Sequence, residues 1–494
     1  MKNRPLLTRV VVGPVSDSLP EKVLQFGTGR LLRAFADFFI DRANRQGLFN
    51  GRIVAVQSTG RQRADTLREQ DGLYTLWVRG LQDGAPRETH EVLSAVSRSL
   101  SAAHSWPDIL ACASSRDLEV IISNTTEVGL TFDEDDRLDA NPPRSFPGKL
   151  TAILYERARA FDYDPTAGLI ILPCELLEAN GDMLRRLVCQ VATAWDLDHT
   201  FVRWVQEANT FCNTLVDRIV PGLPPSKECE AFESEVGYRD ALLTVAEEYR
   251  LWAIEGDAEL ADRLAFSRAD PGIIVTPDIA PYRIRKIRIL NGGHTLSVPA
   301  GFLMGNDTVL GNMTHPLYGG YIENLLRREI GPTLEVDPET VPPYIDEVLT
   351  RWRNPYLQHH LIDITLHGTS KMRVRVIPSL LRYYALYGRV PHRMAAGFAG
   401  YLLFMRGLTD ESGMVYGEFE GVRYPINDTR ARDFMAWWAA GDELIAERIC
   451  KDSSLWGADL ASLPGFADAV AKYLGLMMQE GITVAIARAE AAAS

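Results

Sequence analysis

Four apolar runs mark the first part of the chain: KVLQFG (Lys22 to Gly27), RIVAVQ (Arg52 to Gln57), LEVIISN (Leu118 to Asn124) and GLIILPCE (Gly168 to Glu175). Each is strongly apolar and bounded by polar residues, as strands buried on both faces of a parallel sheet tend to be. The first run is followed by RLLRAFADFFIDRANRQG, where Leu31, Leu32, Phe35, Phe38 and Phe39 recur at helical spacing and Gly47 supplies a stop. Alternation of strand and helix predicts a doubly wound α/β domain of Rossmann type. Beyond residue 280 the texture changes to long helical stretches, among them TLSVPAGFLMGNDTVL, IDEVLTRWR and FADAVAKYLGLMMQEG. A boundary at the Pro-containing turn TPDIAPYRIR (Thr276 to Arg285) gives a dinucleotide-binding domain over 1–280 and a mainly α-helical catalytic and substrate domain over 281–494. The Ala-rich end, AIARAEAAAS, reads as a fraying terminal helix.

Composition narrows the function classes. A chain of 494 residues, 46% hydrophobic and 24% charged, has room for large cores. Its formal net charge of −13 argues against nucleic acid, whose binding rests on Lys and Arg neutralising phosphate. An anionic small substrate would need a local basic patch. The six cysteines show no CxxC and no disulfide framework, and they read as small buried residues in a reducing cytosol. No apolar run is long enough for a signal peptide or a membrane span, so a soluble cytoplasmic protein with no membrane or nucleic-acid partner is expected. Nothing in the pattern specifies an oligomer.

Two motifs carry chemistry. FGTGRLLRAF places Gly27 and Gly29 at two positions of a G-x-G-x-x-G fingerprint, with Leu32 at the third. The glycines allow a tight turn and close approach to a pyrophosphate at the start of the next helix. Phe26, Gly27, Gly29 and Arg30 are therefore cofactor candidates, and Arg33 is a further positive charge for phosphate. At the end of the second strand no acid is present: Gln57 suits the ribose 2′-hydroxyl of NAD(H), while Arg61, followed by Arg63, suits the 2′-phosphate of NADP(H). The end of the third strand adds Asn124 and Glu127 beside the ligand crevice. The second motif is KIRILNGGH (Lys286 to His294). On an α-helix advancing about 100° per residue, Lys286 and Asn291 lie roughly 140° apart with His294 between them. A proton carrier, an amide donor and an imidazole on one side suit carbonyl reduction, where charge grows on oxygen until a proton arrives.

With both motifs in view, the chain resembles the mannitol dehydrogenase family, the polyol-specific long-chain dehydrogenases and reductases. QFGTGRLLRAF, SNTTEVG, NTLVDRIVPG, KIRILNGGH and RWRNPYLQHHL carry the likeness, which runs over essentially the whole chain. The resemblance implies metal-free hydride transfer with NAD(H), Lys286 as general acid, Asn291 as donor to the carbonyl oxygen and His294 orienting the substrate or the lysine. Burial, or Arg285 and Arg288 as neighbours, would bring a lysine down from about 10.4 into a useful range. Asp217, four residues after Asn213 and on its face if NTLVDRI is helical, contacts a substrate hydroxyl by the same resemblance. The branch resembled most reduces the keto uronate tagaturonate. Polyol-acting relatives carry a C-D-N triplet where this chain has Cys174-Glu175-Leu176, and Asn180 is the candidate replacement for the lost amide donor. A uronate carboxylate calls for guanidinium or ammonium groups. GTSKMRVRVIP, read as a strand, puts Lys371, Arg373 and Arg375 on one face. His359 and His360 read as structural. Fructuronate reduction and mannitol or polyol 2-dehydrogenation are sister readings, and a non-catalytic nucleotide-binding protein is the reading from another class.

Overall fold

The computed structural model describes residues 4–13, 18–125, 129–441 and 444–493. The chain divides into two compact units, Met1–Arg79 with Arg87–Ile279, and Gly80–Pro86 with Ala280–Ser494.

The strands of the first part are β1 (Glu21–Phe26), β2 (Arg52–Gln57), β3 (Tyr74–Gln82), β4 (Ala85–Leu93), β5 (Val96–Ser101), β6 (Val120–Ser123), β7 (Ile170–Pro173), β8 (Thr210–Phe211), β9 (Thr214–Asp217), β10 (Thr244–Ala246), β11 (Leu251–Glu255) and β12 (Ile273–Thr276). Six of them form a parallel sheet in the order β5-β2-β1-β6-β7-β8. The strand order reverses between β1 and β6, where Phe26 pairs with Ser123. That reversal is where ligands of such sheets bind. Successive residues of β1 serve two cores. Val23 packs with Phe35, Phe39 and Trp252, while Leu24 and Phe26 pack with Phe146, Leu150 and Leu184. Cover on both faces is why these strands read as continuous apolar runs.

Two expectations for this unit change. The segment after the glycines is a single turn, Arg30–Arg33, then a break at Phe35 (φ −129°, ψ −85°) before the helix Ala36–Arg45. The break seats the Phe35 ring 5.1 Å from Phe39 and 5.4 Å from Trp252. NTLVDRI is strand β9, antiparallel to β11 with Asp217 opposite Leu251, and not a helix.

The second unit is mainly helical. Its axis is the helix His392–Phe404, buried from Arg393 to Phe404. The helix Gly293–Leu303 packs closely on it because the contact is made of small residues. A Cβ on Gly400 would stand 2.6 Å from that of Ala300, and one on Gly397 would stand 2.9 Å from the Leu296 carbonyl oxygen. The last helix, Ile482–Ala493, is docked: Ile482, Ala485, Ile486 and Ala489 are buried, and Glu490 is held by Arg393 through two hydrogen bonds of 2.5 and 3.1 Å. A three-stranded meander, β13 (Gly407–Thr409), β14 (Val415–Phe419) and β15 (Val422–Pro425), interrupts the helices. Three segments are wound as π-helix: Lys286–Gly292, Leu325–Ile330 and Met372–Val376. π-Turns are rare and cluster at functional sites.

Candidate active site

Lys286, Asn291 and His294 begin in one of these π-turns. The i→i+5 ladder of Lys286–Gly292 sets residues five apart over one another, so Lys286 and Asn291 line up far better than the α-helical wheel gives. The α-helix from Gly293 then carries His294. The Thr295 hydroxyl donates to the Asn291 carbonyl at 2.7 Å and the Ser297 hydroxyl to that of Gly293 at 2.8 Å, fixing the junction. Both glycines of the motif are contact points. A Cβ on Gly293 would meet Leu326 Cδ2 at 2.7 Å and Trp352 Cη2 at 2.8 Å, and one on Gly292 would lie 3.1 Å from the Arg375 carbonyl oxygen. Arg288 donates to the Val374 carbonyl, so the turns Lys286–Gly292 and Met372–Val376 are clipped together. Among the described residues the Asn291 carboxamide has no hydrogen-bond partner, so both of its polar ends are uncommitted.

His294 is buried and stacked on Trp352, with centroids 4.2 Å apart and planes at 29°. His359 meets it edge-on at 5.5 Å. Burial holds the His294 imidazole well below its usual titration range, and His359, Arg351, Arg375 and Lys371 push it further the same way. At neutral pH the ring is uncharged, with one donor and one acceptor nitrogen. Lys371 is brought down to about 8, mostly by burial and then by Arg375, against the opposing pull of Asp428. Its Nζ donates to the Ile364 carbonyl at 2.9 Å. A small pocket behind the imidazole is lined by Thr365, Gly368, Lys371 and Tyr401.

The strand expected over Lys371, Arg373 and Arg375 is helix and π-turn, which separates them. Lys371 and Arg375 both act on His294, whereas Arg373 is exposed and reaches the Ser454 carbonyl at 3.4 Å. Arg373 therefore leaves the candidate carboxylate site. Arg351, Trp352 and His359 enter it; their sequence signal was the segment RWRNPYLQHHL, in which His359 read as structural.

On the nucleotide side, Gly27 has φ +136°, a conformation suited to glycine, and Leu32 fills the space beside it: a Cβ there would meet Leu32 Cδ1 at 2.8 Å. Phe26 is buried and Arg30 exposed. Arg33 is not available to phosphate, being buried with its guanidinium bonded to Thr28, Leu242 and Thr244. The Gln57 carboxamide donates to the Thr59 carbonyl at 2.7 Å and accepts from the Ala64 N–H at 2.9 Å, so it shapes the loop after β2. Arg61 lies 3.2 Å from Asp65. Asn124 donates to the Cys174 carbonyl at 2.8 Å, tying the ends of β6 and β7, and Glu127 lies outside the described residues.

Asn180 does not replace the missing amide donor. It is fully buried, its Nδ2 spent on the Pro173 and Glu175 carbonyls at 3.0 Å each and its Oδ1 on the N–H groups of Gly181 and Thr214 at 2.9 Å each. Leu176 is 61% exposed. Glu175, which sequence reasoning passed over, is buried and accepts from Ser123 Oγ and from the Thr125 N–H and Oγ1, and burial raises its pKa. Asp217 is buried at the end of β9. The four cysteines Cys112, Cys174, Cys212 and Cys450 are buried, and all six are free.

Residues 21–268 match the description "Mannitol dehydrogenase Rossmann domain", and residues 278–478 match "Mannitol dehydrogenase C-terminal domain". The altronate oxidoreductase of Bacillus subtilis is 40% identical over 476 residues, covering 94% of this chain and 95% of that one. The altronate oxidoreductase of Yersinia pestis is 38% identical over 480 residues, covering 95% and 97%. Among solved structures, Pseudomonas fluorescens mannitol 2-dehydrogenase in ternary complex with NAD and D-mannitol superposes with a TM-score of 0.70 at 23% identity, covering 98% of this chain and 99% of that one. Substrate-free D-sorbitol dehydrogenase gives 0.79 at 24% identity, covering 98% and 100%.

Proposed function

The chain belongs to the mannitol dehydrogenase family of oxidoreductases acting on CH–OH groups, and we propose that it reduces D-tagaturonate to D-altronate reversibly, in the linear keto form and with NADH. The observation that carries the substrate reading is the set of positive groups around the neutral His294. Arg351, Lys371 and Arg375 all bear on this ring, in a chain of net charge −13. A polyol brings no charge to such a cluster, whereas a uronate brings a carboxylate that guanidinium and ammonium groups attract. The relatives named altronate oxidoreductase support the same choice.

In the proposed reaction the nicotinamide supplies hydride to the ketone carbon. Asn291, whose carboxamide is otherwise uncommitted, donates to the oxygen as charge builds there. Lys286, aligned with Asn291 by the π-turn, delivers the proton and takes it back in the reverse direction. Trp352 fixes the plane of His294, so its donor and acceptor nitrogens present a set pattern to the sugar hydroxyls. Lys371 and Arg375 hold the carboxylate. Gln57 contributes to the cofactor side by shaping the loop after β2 rather than as an acid on the ribose. The reading places the enzyme in the cytoplasm, and among the described residues no helix is long and apolar enough to cross a membrane.

The test is NADH oxidation at 340 nm with D-tagaturonate, D-fructuronate and D-fructose in parallel. Turnover of tagaturonate well above the other two is expected. Preference for fructose would refute the carboxylate reading, and preference for fructuronate would refute the assignment within the uronates.

A further inference from the structure

Beneath the glycine turn lie four buried side chains from four elements: Gln25 of β1, Arg33 of the single turn Arg30–Arg33 and Asp37 of the helix Ala36–Arg45 from either side of the break, and Tyr74 of β3. Two of them grip consecutive carbonyls of the loop. Gln25 Nε2 donates to the Gly27 carbonyl at 3.1 Å, and Arg33 Nη1 donates to the Thr28 carbonyl at 2.5 Å. In a trans peptide the C=O of one residue and the N–H of the next point in opposite directions. Holding the Gly27 and Thr28 carbonyls inward therefore turns the Thr28 and Gly29 N–H groups outward. Among the described residues neither N–H has an acceptor. Two adjacent outward N–H groups make an anion-binding concavity.

The other two side chains hold the grips. The Tyr74 hydroxyl lies 2.8 Å from Asp37 Oδ2 and 3.1 Å from the Arg33 carbonyl oxygen, and the Tyr74 ring lies under the Arg33 guanidinium at 5.6 Å. The Asp37 carboxyl faces both Gln25 and Arg33. Asp37 thus bears on the supports of both carbonyl grips, and among the described residues its side chain makes no hydrogen bond to the loop itself. We propose that Asp37, through Tyr74, Arg33 and Gln25, is a positioning residue that sets the outward N–H groups of Thr28 and Gly29 for the pyrophosphate of the dinucleotide. Burying a carboxyl at 1% exposure is costly, and only Oδ2 of Asp37 is met by the Tyr74 hydroxyl while Oδ1 has no hydrogen-bond partner. Here the carboxyl orders a loop whose own glycines leave it conformationally free.

The inference rests on dinucleotide binding alone and not on which sugar is reduced. NADH affinity is measured by fluorescence titration, and kcat at saturating NADH is measured separately. Asp37→Leu, which removes every polar contact, is expected to weaken NADH at least tenfold while kcat stays within about twofold. Asp37→Asn keeps an acceptor for Tyr74 and is expected to restore affinity to within about threefold. Tyr74→Phe, which removes one oxygen and keeps the ring, is expected to weaken NADH threefold or more, and it decides the matter if the leucine variant does not fold. Unchanged NADH affinity in Tyr74→Phe, or equal losses in the leucine and asparagine variants, would overturn the proposal. Wild-type protein that binds no NADH would instead overturn the cofactor assignment.

Discussion

Lys371 gives the substrate reading a pH signature. Burial and Arg375 bring its ammonium down to about 8. The ammonium is charged below that value and loses its charge as pH rises through it. A uronate carboxylate stays ionised throughout, since ordinary carboxyl groups titrate near pKa 4. If only the charged lysine holds the carboxylate, the apparent KM scales as one plus the ratio of neutral to charged lysine. That gives a factor of about 1.1 at pH 7, about 2 at pH 8 and about 11 at pH 9. The KM for tagaturonate should therefore climb about tenfold between pH 7 and pH 9, while the KM for fructose, which has no carboxylate, stays flat. Arginine keeps its charge over this range, so Lys371→Arg should level the tagaturonate profile. Initial rates in the reducing direction at constant ionic strength supply both constants. A flat tagaturonate KM, or an equal rise with fructose, would refute carboxylate binding by Lys371.

Other outcomes follow from the same geometry. Arg375→Ala should raise the KM for tagaturonate tenfold or more, whereas Arg373→Ala, on a side chain directed at Ser454, should leave it within about twofold; equal effects would return the two residues to one face. Asn291→Ala should lower kcat by about 10²–10³ with NADH affinity unchanged, the usual loss of one oxyanion donor; a normal kcat would remove it from the mechanism. Gly293→Ala pushes a methyl into Leu326 and Trp352 and should destabilise the protein by about 1–3 kcal/mol in denaturant unfolding, with kcat falling as Trp352 shifts off His294. Unaltered stability would show that the two helices have slack there. Lys286→Ala should remove most turnover while NADH still binds, and near-normal turnover would exclude it as the proton carrier.

The sheet was legible because burial on both faces leaves an unmistakable apolar run: β2, β6 and β7 fall inside runs read from sequence, and β1 begins one residue ahead of its run, at Glu21. The glycine turn was equally plain. What escaped had specific causes. KMRVRV alternates basic and apolar residues with β-branched valines, a strand-like pattern, yet it winds as a π-turn because its backbone packs on Gly292 and Arg288. Such long-range contacts override local propensity. Arg33 looked like a phosphate ligand because sequence records its charge and not the direction of its guanidinium. Asn180 sits at a plausible distance from Leu176 along the chain, but the ends of β7 and β9 consume its amide entirely. His359 offered no spacing that would tie it to His294, because a fold-level turn brings the two rings together.

The π-turn of Lys286–Gly292 makes the reactive face a matter of chain length as well as composition. Such a turn is an α-helical turn carrying a surplus residue. Wound as an ordinary α-helix with all its residues, the segment would put Lys286 and Asn291 about 140° apart, whereas with one residue removed between them they would stand four apart, about 40° round, and share a face again. Substitutions at Ile287 or Ile289 leave that count intact. A descendant of this chain could therefore shed the wide turn through one deleted codon and still keep its lysine and amide on one face, so an aligned single-residue gap in this segment would not by itself mark lost reductase activity.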